Sequence, residues 1–480
     1  MTAPTAGGSP TRCYDPTNLS SMPHVCIIGA GSSGIAAAKA LSQAGIPFDC
    51  FEKGDRVGGN WVFGNTNGMS SAYRSLHINT SRERMEYSDF PMPRHYPDFP
   101  HHTHIAEYFD AYVDHFGFRD GITFGVGVER AERRSDGSWL VRLDSGETRS
   151  YDALVVANGH HWDPRWPEPP YPGDFDGQQT HSHHYKDNQA FRGKNVVVVG
   201  MGNSAMDIAV ETSQVAERVF LSARRGAWVI PKYLFGKPLD QLGNDPRVPF
   251  RIRQKIYERI LLMNVGRMEN YGLPRPDHRP GEAHPTISSD ILVRLGSGDV
   301  KPKPNIAELL GDRVRFADGS IEPADVIVYC TGYRVTFPFF DPQFISAPDN
   351  DLPLFRRVFK PDVDNVFFIG LLQPLGAIMP LAEAQSEWVA DYLLGKYALP
   401  PHEEVLSDIA DERRRLMKRY VASKRHTMQV DFEDYLYALS RERKRGARRA
   451  DALGNRPPPP ISARRDRAPS AAPAAGDGPA

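Results

Sequence analysis

The feature that most constrains the fold is a pattern that occurs twice: a short apolar run, a glycine-rich turn and an amphipathic, helix-prone stretch. The first copy runs from Val25 to Gln43 around GAGSSG, and the second from Val196 to Ser213 around GMGNSA. A strand that enters a helix through such a turn points free helix N–H groups at the turn, where they can bind phosphate. The sequence therefore predicts two nucleotide-binding folds in one chain.

The first copy has the complete spacing of a dinucleotide site. Glu52 ends the next apolar run, roughly twenty residues after the turn, where a carboxylate can hydrogen-bond a ribose diol and repel a 2′-phosphate. This arrangement favours FAD or NAD over NADP. The turn residues predicted to contact the nucleotide are Gly29, Ala30, Gly31, Ser32, Ser33 and Gly34.

A second glycine pair follows closely in Gly58-Gly59-Asn60-Trp61. Paired glycines allow the backbone to approach a bulky planar ligand. We expect Gly59, Asn60 and Trp61 to lie beside that ligand, although a tryptophan buried in the core is an open alternative for Trp61.

The second copy carries a different charge at its ribose end. Ala205 replaces the third glycine, and Arg224, followed by Arg225, stands after the next apolar run instead of an acid. A guanidinium can bind a 2′-phosphate through paired hydrogen bonds, so this site is predicted to select NADPH. Its turn includes Gly200, Gly202 and Asn203.

Composition limits the remaining possibilities. A chain of 480 residues with 40% hydrophobic residues is long enough for two cores, and its net charge of -1 does not favour nucleic acid. The scattered Cys13, Cys26, Cys50 and Cys330 offer no redox dithiol, which argues against disulfide reductases and favours a reducing, cytoplasmic compartment. The longest apolar stretch, Val366 to Ala382, is interrupted by polar and helix-breaking residues and is interpreted as a buried strand and a helix start, so no membrane span is expected.

One stretch is more specific than the rest. Residues from Phe175 to Lys186 fit FxGxxxHxxx(F/Y)K, and here the sequence resembles the class B flavin-containing monooxygenases. Supporting motifs follow in the family's order: GAGSSG, GGNW, SLHINTSRERMEYSDFPMP, GMGNSAMDIA, SARRGAWV, CTGY and QPLGAIMPLAEAQSEW. The resemblance covers about Val25 to Trp388, and the polar end resembles the soluble bacterial members.

The resemblance implies an α/β fold with two Rossmann-like domains, the NADPH domain being inserted into the FAD domain. The predicted divisions are a flexible arm (1–22), the first part of the FAD domain (23–174), the fingerprint linker (175–190), the NADPH domain with an insertion (191–324), the second part of the FAD domain (325–440) and a disordered basic tail (441–480). The region from about 231 to 304 has no clear period.

The resemblance also implies the chemistry. NADPH reduces FAD, molecular oxygen adds to the flavin as a C4a-hydroperoxide, and a soft nitrogen or sulfur of a small amine or sulfide attacks it. Asn79 is expected to hydrogen-bond the oxygen intermediate as the catalytic residue. Further cofactor contacts carried over from the family are Ile78, Thr80, Ser204, Ala205, Met206, Asp207, Thr331, Gly332 and Gln373.

Three alternatives remain open from the sequence. Baeyer–Villiger or N-hydroxylating monooxygenases share the architecture, but the related Baeyer–Villiger fingerprint ends in Trp-Pro or Trp-Asp instead of Tyr185-Lys186. A sensor that binds both cofactors without turnover belongs to another class. Two further expectations concern metal binding and assembly. Histidine spacing alone does not predict a metal site at His181, His183 and His184. A homodimer is the default expectation for the oligomeric state.

Overall fold

The described part of the chain contains two large parallel sheets. The first is formed by the beginning and the end of the described chain, and the second by the middle. A computed structural model describes residues 22–242, 245, 247–363, 365–419 and 426–455. The predicted flexible arm lies outside these ranges except for its last residue.

The first part of the chain builds most of the first sheet. Its central strand is all buried, pairs in parallel with a strand on each side, and passes through a glycine turn into a helix. The elements are β1 (Val25–Ile28), α1 (Ser32–Gln43), β2 (Phe48–Glu52), α2 (Arg82–Met85), α3 (His102–Phe116), β3 (Ile122–Phe124), β4 (Val128–Arg133), β5 (Trp139–Leu143), β6 (Thr148–Tyr151) and β7 (Ala153–Val156).

The middle of the chain repeats the arrangement in a second sheet. Its elements are β8 (Asp163–Pro164), β9 (Gly173–Phe175), β10 (Gln178–His181), β11 (Asn195–Val199), α4 (Asn203–Thr212), β12 (Arg218–Ser222), β13 (Val229–Ile230), β14 (Tyr233–Leu234), β15 (Lys237–Pro238), α5 (Phe250–Asn264), β16 (Thr286–Ile287), α6 (Asp290–Gly296), β17 (Val300–Lys303), β18 (Ile306–Gly311), β19 (Arg313–Phe316), β20 (Ile321–Pro323) and β21 (Val326–Tyr329). The parallel order is β10-β21-β11-β12-β17.

The last part returns to the first sheet, which then has the order β23-β7-β1-β2-β3. Its elements are β22 (Tyr333–Arg334), β23 (Val366–Phe368), β24 (Gln373–Leu375), α7 (Met379–Leu393), α8 (His402–Arg419), β25 (Gln429–Asp431) and α9 (Phe432–Ala452). The predicted α/β class, with one nucleotide-binding domain inserted into the other, is confirmed, as is the buried strand and helix start in Val366 to Ala382.

Both sheets are covered on both faces, as parallel sheets require. Helices α1, α3 and α7 pack on one face of the first sheet, while the antiparallel strands β4, β5 and β6 cover the other. Helices α4 and α6 cover one face of the second sheet, and strands β18 and β19 the other. These two layered cores hold the carboxyl ends of the strands in fixed positions.

The predicted domain boundary at residue 325 is wrong by one strand. β21 pairs with β11 and β10 in the second sheet, so the inserted domain extends through Tyr329. Residues Gln178–His181 of the fingerprint linker likewise form an edge strand of that sheet. Both assignments depend on pairing between distant segments, which the local pattern does not encode.

The predicted disorder after residue 440 is also corrected, since α9 continues to Ala452. Its basic residues are not simply solvated, because Arg443 bonds Glu387 and Asp391 of α7. Gly446 packs so closely on Tyr397 that an added Cβ would lie 1.8 Å from a ring carbon. Residues 456–480 lie outside the described ranges, within which no helix is long and apolar enough to cross a membrane.

Candidate functional site

The carboxyl ends of strands from both sheets line one cavity of about 1260 Å³. Ile28 and Glu52 end strands of the first sheet, and Arg224 and Cys330 follow strands of the second. Ligands of open parallel sheets bind at this end of the strands. The volume exceeds that of an ordinary small-ligand pocket, which is roughly 300–1,000 Å³.

The first glycine turn leaves the start of α1 open to the cavity. The N-cap residue Gly31 makes no side-chain cap bond, and the first helical turn holds no acidic residue, in the part of the chain that the structure describes. The turn is tightly packed: a Cβ on Gly29, whose φ is +98°, would lie 2.8 Å from the Ala157 carbonyl oxygen. A Cβ on Gly34 would lie 1.8 Å from the Gly29 oxygen. The free amides therefore suit an anionic phosphate.

The second glycine pair approaches the first turn directly. A Cβ on Gly59 would lie 3.1 Å from the Gly31 Cα atom. Asn60 accepts hydrogen bonds from the N–H and hydroxyl of Ser71 at 2.8 and 2.9 Å, which fixes the following loop. Trp61 lines the cavity and also packs on the first core. Its position is therefore compatible both with a contact to the ligand and with a role in the core.

Glu52 lies beneath the first turn and is 4% exposed. Its carboxylate accepts the Ala30 N–H at 2.8 Å and the Gly54 N–H at 2.7 Å. A carboxylate offers about four acceptor sites, so a ribose hydroxyl can still bind. The negative charge at this position disfavours a 2′-phosphate.

The second glycine turn repeats the open helix start. Gly202 caps α4 without a side-chain bond from the described residues, and the first turn again holds no acid. Asn203, Ser204 and Asp207 line the cavity. Asp207 accepts the Tyr73 hydroxyl, and burial raises the pKa of its carboxyl group.

The two arginines after β12 differ in their contacts. Arg225 bonds the Asp277 carboxylate through Nε at 2.7 Å and Nη2 at 2.6 Å. Arg224 is exposed at the cavity wall and forms no ion pair with a described residue. Only the Arg224 guanidinium is thus available for a phosphate without breaking an existing pair.

Asn79 lies at the cavity wall in a well-held turn. The flanking Ile78 and Thr80 are 1% and 8% exposed, and the Ile78 N–H bonds the Pro100 carbonyl at 3.0 Å. The side-chain amide of Asn79 is therefore presented by fixed backbone on both sides.

Most of the residues predicted from the sequence meet at this cavity. The wall includes Gly29, Gly31, Ser32, Ser33, Glu52, Gly59, Asn60, Trp61, Ile78, Asn79, Thr80, Gly202, Asn203, Ser204, Asp207, Arg224, Thr331, Gly332 and Gln373. It does not include Ala30, Gly34, Gly200, Ala205 or Met206. The Ala205 and Met206 side chains are fully buried in the second core, which leaves their backbone groups for the predicted contact with the nucleotide.

The fingerprint joins the two domains through its last two residues. The Tyr185 hydroxyl bonds the Glu211 carboxylate of α4 at 2.5 Å. Lys186 Nζ donates to the carbonyl oxygens of Ser70 and Ala72 at 2.8 and 3.2 Å, in the loop that Asn60 holds. The fingerprint therefore connects one cavity wall to the other.

His181 lies fully buried within the fingerprint. Its Nδ1 atom accepts the His183 N–H at 3.1 Å, and burial lowers the pKa of the imidazole to about 4. The ring is therefore neutral at pH 7 and caps a turn. Among the described residues, no group of three metal-ligating side chains is placed to hold a metal ion.

The sequence analysis did not identify every residue of the cavity wall, and two of those it missed contact the Asn79 turn. Lys232 and Asp240 lie in the region without a clear period, and both contact the turn that carries Asn79. The contacts join residues more than 150 positions apart, so no local signal could have identified them.

Comparisons with known proteins agree with this geometry. A model of the flavin-binding monooxygenase-like family matches residues 22–445. The chain is 37% identical over 455 residues to flavin-containing monooxygenase 5 of Oryctolagus cuniculus, covering 90% of this chain and 83% of that protein. It is 35% identical over 440 residues to the N-oxide-forming dimethylaniline monooxygenase 2 of Rattus norvegicus, covering 87% and 82%.

A solved structure is similar over nearly the full length. S-allyl-L-cysteine S-oxygenase from Allium sativum has a TM-score of 0.66 and 26% sequence identity, with 90% of this chain and 92% of that chain covered.

The buried His181 predicts a defined pH dependence of stability. Because its pKa is lowered from 6.5 to about 4, the folded protein binds fewer protons than the unfolded chain between these values. The free energy of unfolding should therefore fall as the pH decreases from 6.5 to 4, by up to about 3 kcal/mol from this residue. Denaturant titrations across this range measure the slope.

His181→Asn keeps an acceptor for the His183 N–H and should flatten the slope. The exposed His184 offers a control, since His184→Asn should leave the slope unchanged. Equal slopes in the wild type and His181→Asn would contradict the role assigned to burial.

Proposed function

Because the chain belongs to the flavin-binding monooxygenase-like family, we propose that it oxygenates a soft nitrogen or sulfur atom of a small molecule. The observation that carries this proposal is the placement of two open helix N-termini and Asn79 around one cavity. Two dinucleotides bound at these helices would share the same cavity, which permits electron transfer between them.

The protein is a monooxygenase that uses FAD and NADPH. We assign FAD to the first turn, where Glu52 suits a ribose diol, and NADPH to the second, where Arg224 suits a 2′-phosphate. The close backbone approach at Gly59 leaves room for a planar ligand. When bound, FAD supplies the redox and oxygen chemistry that side chains lack.

Asn79 is assigned to hydrogen-bond the reacting oxygen. A side-chain amide donates a hydrogen bond without giving up a proton, so it can stabilise developing negative charge without acting as an acid. The buried neighbours Ile78 and Thr80 hold the donor in place before reaction. Such preorganisation is the main way in which a protein stabilises charge in an enclosed site.

The apolar part of the cavity wall is assigned to exclude water. Leu234 and Ile260 of the inserted domain line it together with Phe99 of the first domain. Water entry would favour release of hydrogen peroxide over transfer of oxygen to the substrate. These apolar side chains are therefore assigned to protect the yield of oxygenated product.

The proposed substrates are small amines and sulfides. Two similar proteins are named for oxidation at nitrogen and at sulfur, respectively. Ketone oxygenation is less well supported because the fingerprint ends in Tyr185 and Lys186, and both side chains are bonded into the domain junction. A redox-silent sensor is not favoured by similarity to named monooxygenases.

We further propose a cytoplasmic location and a homodimer. The location is supported by free thiols at Cys26, Cys50 and Cys330, which suit a reducing compartment. The dimer rests only on the general frequency of symmetric pairs.

Arg224→Ala should reduce the preference for NADPH over NADH. Loss of a charged, paired hydrogen bond costs about 1.5–3 kcal/mol, so the ratio of the two kcat/KM values should fall roughly 10- to 100-fold. Steady-state kinetics with both nucleotides measures this ratio. Arg225→Ala is the matched control, because its guanidinium is already bound to Asp277. A preference lost only in the control would assign the phosphate contact to Arg225 instead.

Asn79→Ala should leave FAD bound but divert NADPH consumption toward hydrogen peroxide. Removing one preorganised donor commonly slows a charge-stabilised step by about 100-fold, so oxygen transfer should lose to peroxide release. Parallel assays of NADPH, product and peroxide measure the coupling. Asn305→Ala, which removes an amide outside the cavity that accepts the Tyr171 hydroxyl, is the control. Unchanged coupling in Asn79→Ala would disprove its role.

A further inference from the structure

A segment of the inserted domain contacts the Asn79 turn on both sides. Lys232 Nζ donates to the Ile78 carbonyl oxygen at 3.3 Å, immediately before Asn79. The Asp240 Oδ2 atom accepts the Ser81 N–H at 2.6 Å, two residues after Asn79. We call residues 232–241 the strap. Asn79 itself belongs to the other domain, so these bonds cross the domain junction.

Three further contacts hold the strap against the same region. Gln241 Nε2 donates to the Ser81 hydroxyl oxygen at 3.2 Å. The Tyr233 hydroxyl donates to the Asp98 carboxylate at 2.8 Å, and the Lys232 ammonium lies 4.9 Å from the centroid of the Phe99 ring. These contacts involve residues at both ends of the strap, so the segment is held to the Asn79 region at two points.

The charge of Lys232 experiences two opposing effects in the docked strap. Burial lowers the pKa of the Lys232 ammonium, while the carboxylates of Asp207 and Asp290 act in the opposite direction. Lys232 therefore lies between α4, which begins at the second glycine turn, and the turn that carries Asn79. Because Lys232 and α4 belong to the same domain, a movement of one domain relative to the other would separate Lys232 from the Asn79 turn.

We propose that Asp240 is a positioning residue for Asn79, acting through the Ser81 N–H. The inference rests on the role assigned to Asn79 in the proposed function. Ser81 is fully buried, so its amide depends on this carboxylate instead of water. The Asn79 amide is accordingly in its working position only when the inserted domain is docked. Domain docking and oxygen transfer are coupled by this bond.

The bonding of Asp240 argues against a role confined to stability. Its Oδ1 atom is buried and has no hydrogen-bond partner among the residues that the structure describes. A partly buried carboxylate with one unbonded, buried oxygen contributes little net stability, because desolvation offsets its single bond. Replacing Asp240 should therefore change the Asn79 turn more than it changes the unfolding temperature.

Hydrogen exchange on the FAD-loaded protein tests the bond directly. In Asp240→Ala, exchange of the amides in residues 78–83 should become roughly tenfold faster, because the Ser81 N–H loses its acceptor. Asp240→Asn keeps an accepting oxygen and should restore slow exchange. Asp318→Ala is the matched control, since Asp318 also accepts a backbone N–H, from Ser320 at 3.0 Å, but lies outside the cavity. Unchanged exchange in Asp240→Ala would overturn the proposal.

Coupling assays separate this inference from the proposed function. The share of NADPH recovered as hydrogen peroxide should rise several-fold in Asp240→Ala, approach the value in Asn79→Ala, and return toward wild type in Asp240→Asn. If Asn79→Ala raises peroxide release and Asp240→Ala does not, the positioning role of Asp240 is overturned, while the role of Asn79 stands. If neither variant changes it, the role of Asn79 is wrong, and the coupling of Asp240 to oxygen transfer falls with it.

Discussion

Two helix N-termini that open onto one cavity are the constraint on which the rest of the structure depends. Each helix start exposes N–H groups that no described side chain caps, and the dipoles of both helices favour an anion there. The glycine backbones leave no space for a Cβ at Gly29 or Gly34. The phosphates of a bound cofactor would accept hydrogen bonds from these N–H groups and would balance the positive ends of both helix dipoles.

Two independent connections hold the paired sites in register. The fingerprint links α4 to the loop beside Asn60 through Tyr185 and Lys186, and the strap links the inserted domain to the Asn79 turn. The first uses a buried hydroxyl–carboxylate bond and a lysine shared by carbonyl groups. The second uses the charged side chains of Lys232 and Asp240, which lose water when the strap contacts the Asn79 turn. Together they make the geometry of the cavity depend on the contact between the domains.

The sequence predicted what is encoded locally and missed what depends on distant pairing. The two turns, Glu52 and Arg224 follow from spacing within single strand–helix–strand units, and they lie at the cavity wall. Strand Val326–Tyr329 was assigned to the wrong domain because its partners are more than a hundred residues away. Helix α9 was missed because its buried stripe is narrow and surrounded by arginines, which the α7 carboxylates partly neutralise. The strap residues were missed because only tertiary docking gives them a function.

Anaerobic mixing of the FAD-loaded protein with NADPH tests the shared cavity most directly, with the yellow absorbance of the flavin as the signal. The account predicts that NADPH removes this absorbance in one stoichiometric phase, because both nucleotides occupy one enclosed space. NADH should do so far less effectively at the same concentration. Saturating binding of NADPH without loss of colour would show that the two sites do not communicate, and would contradict the account.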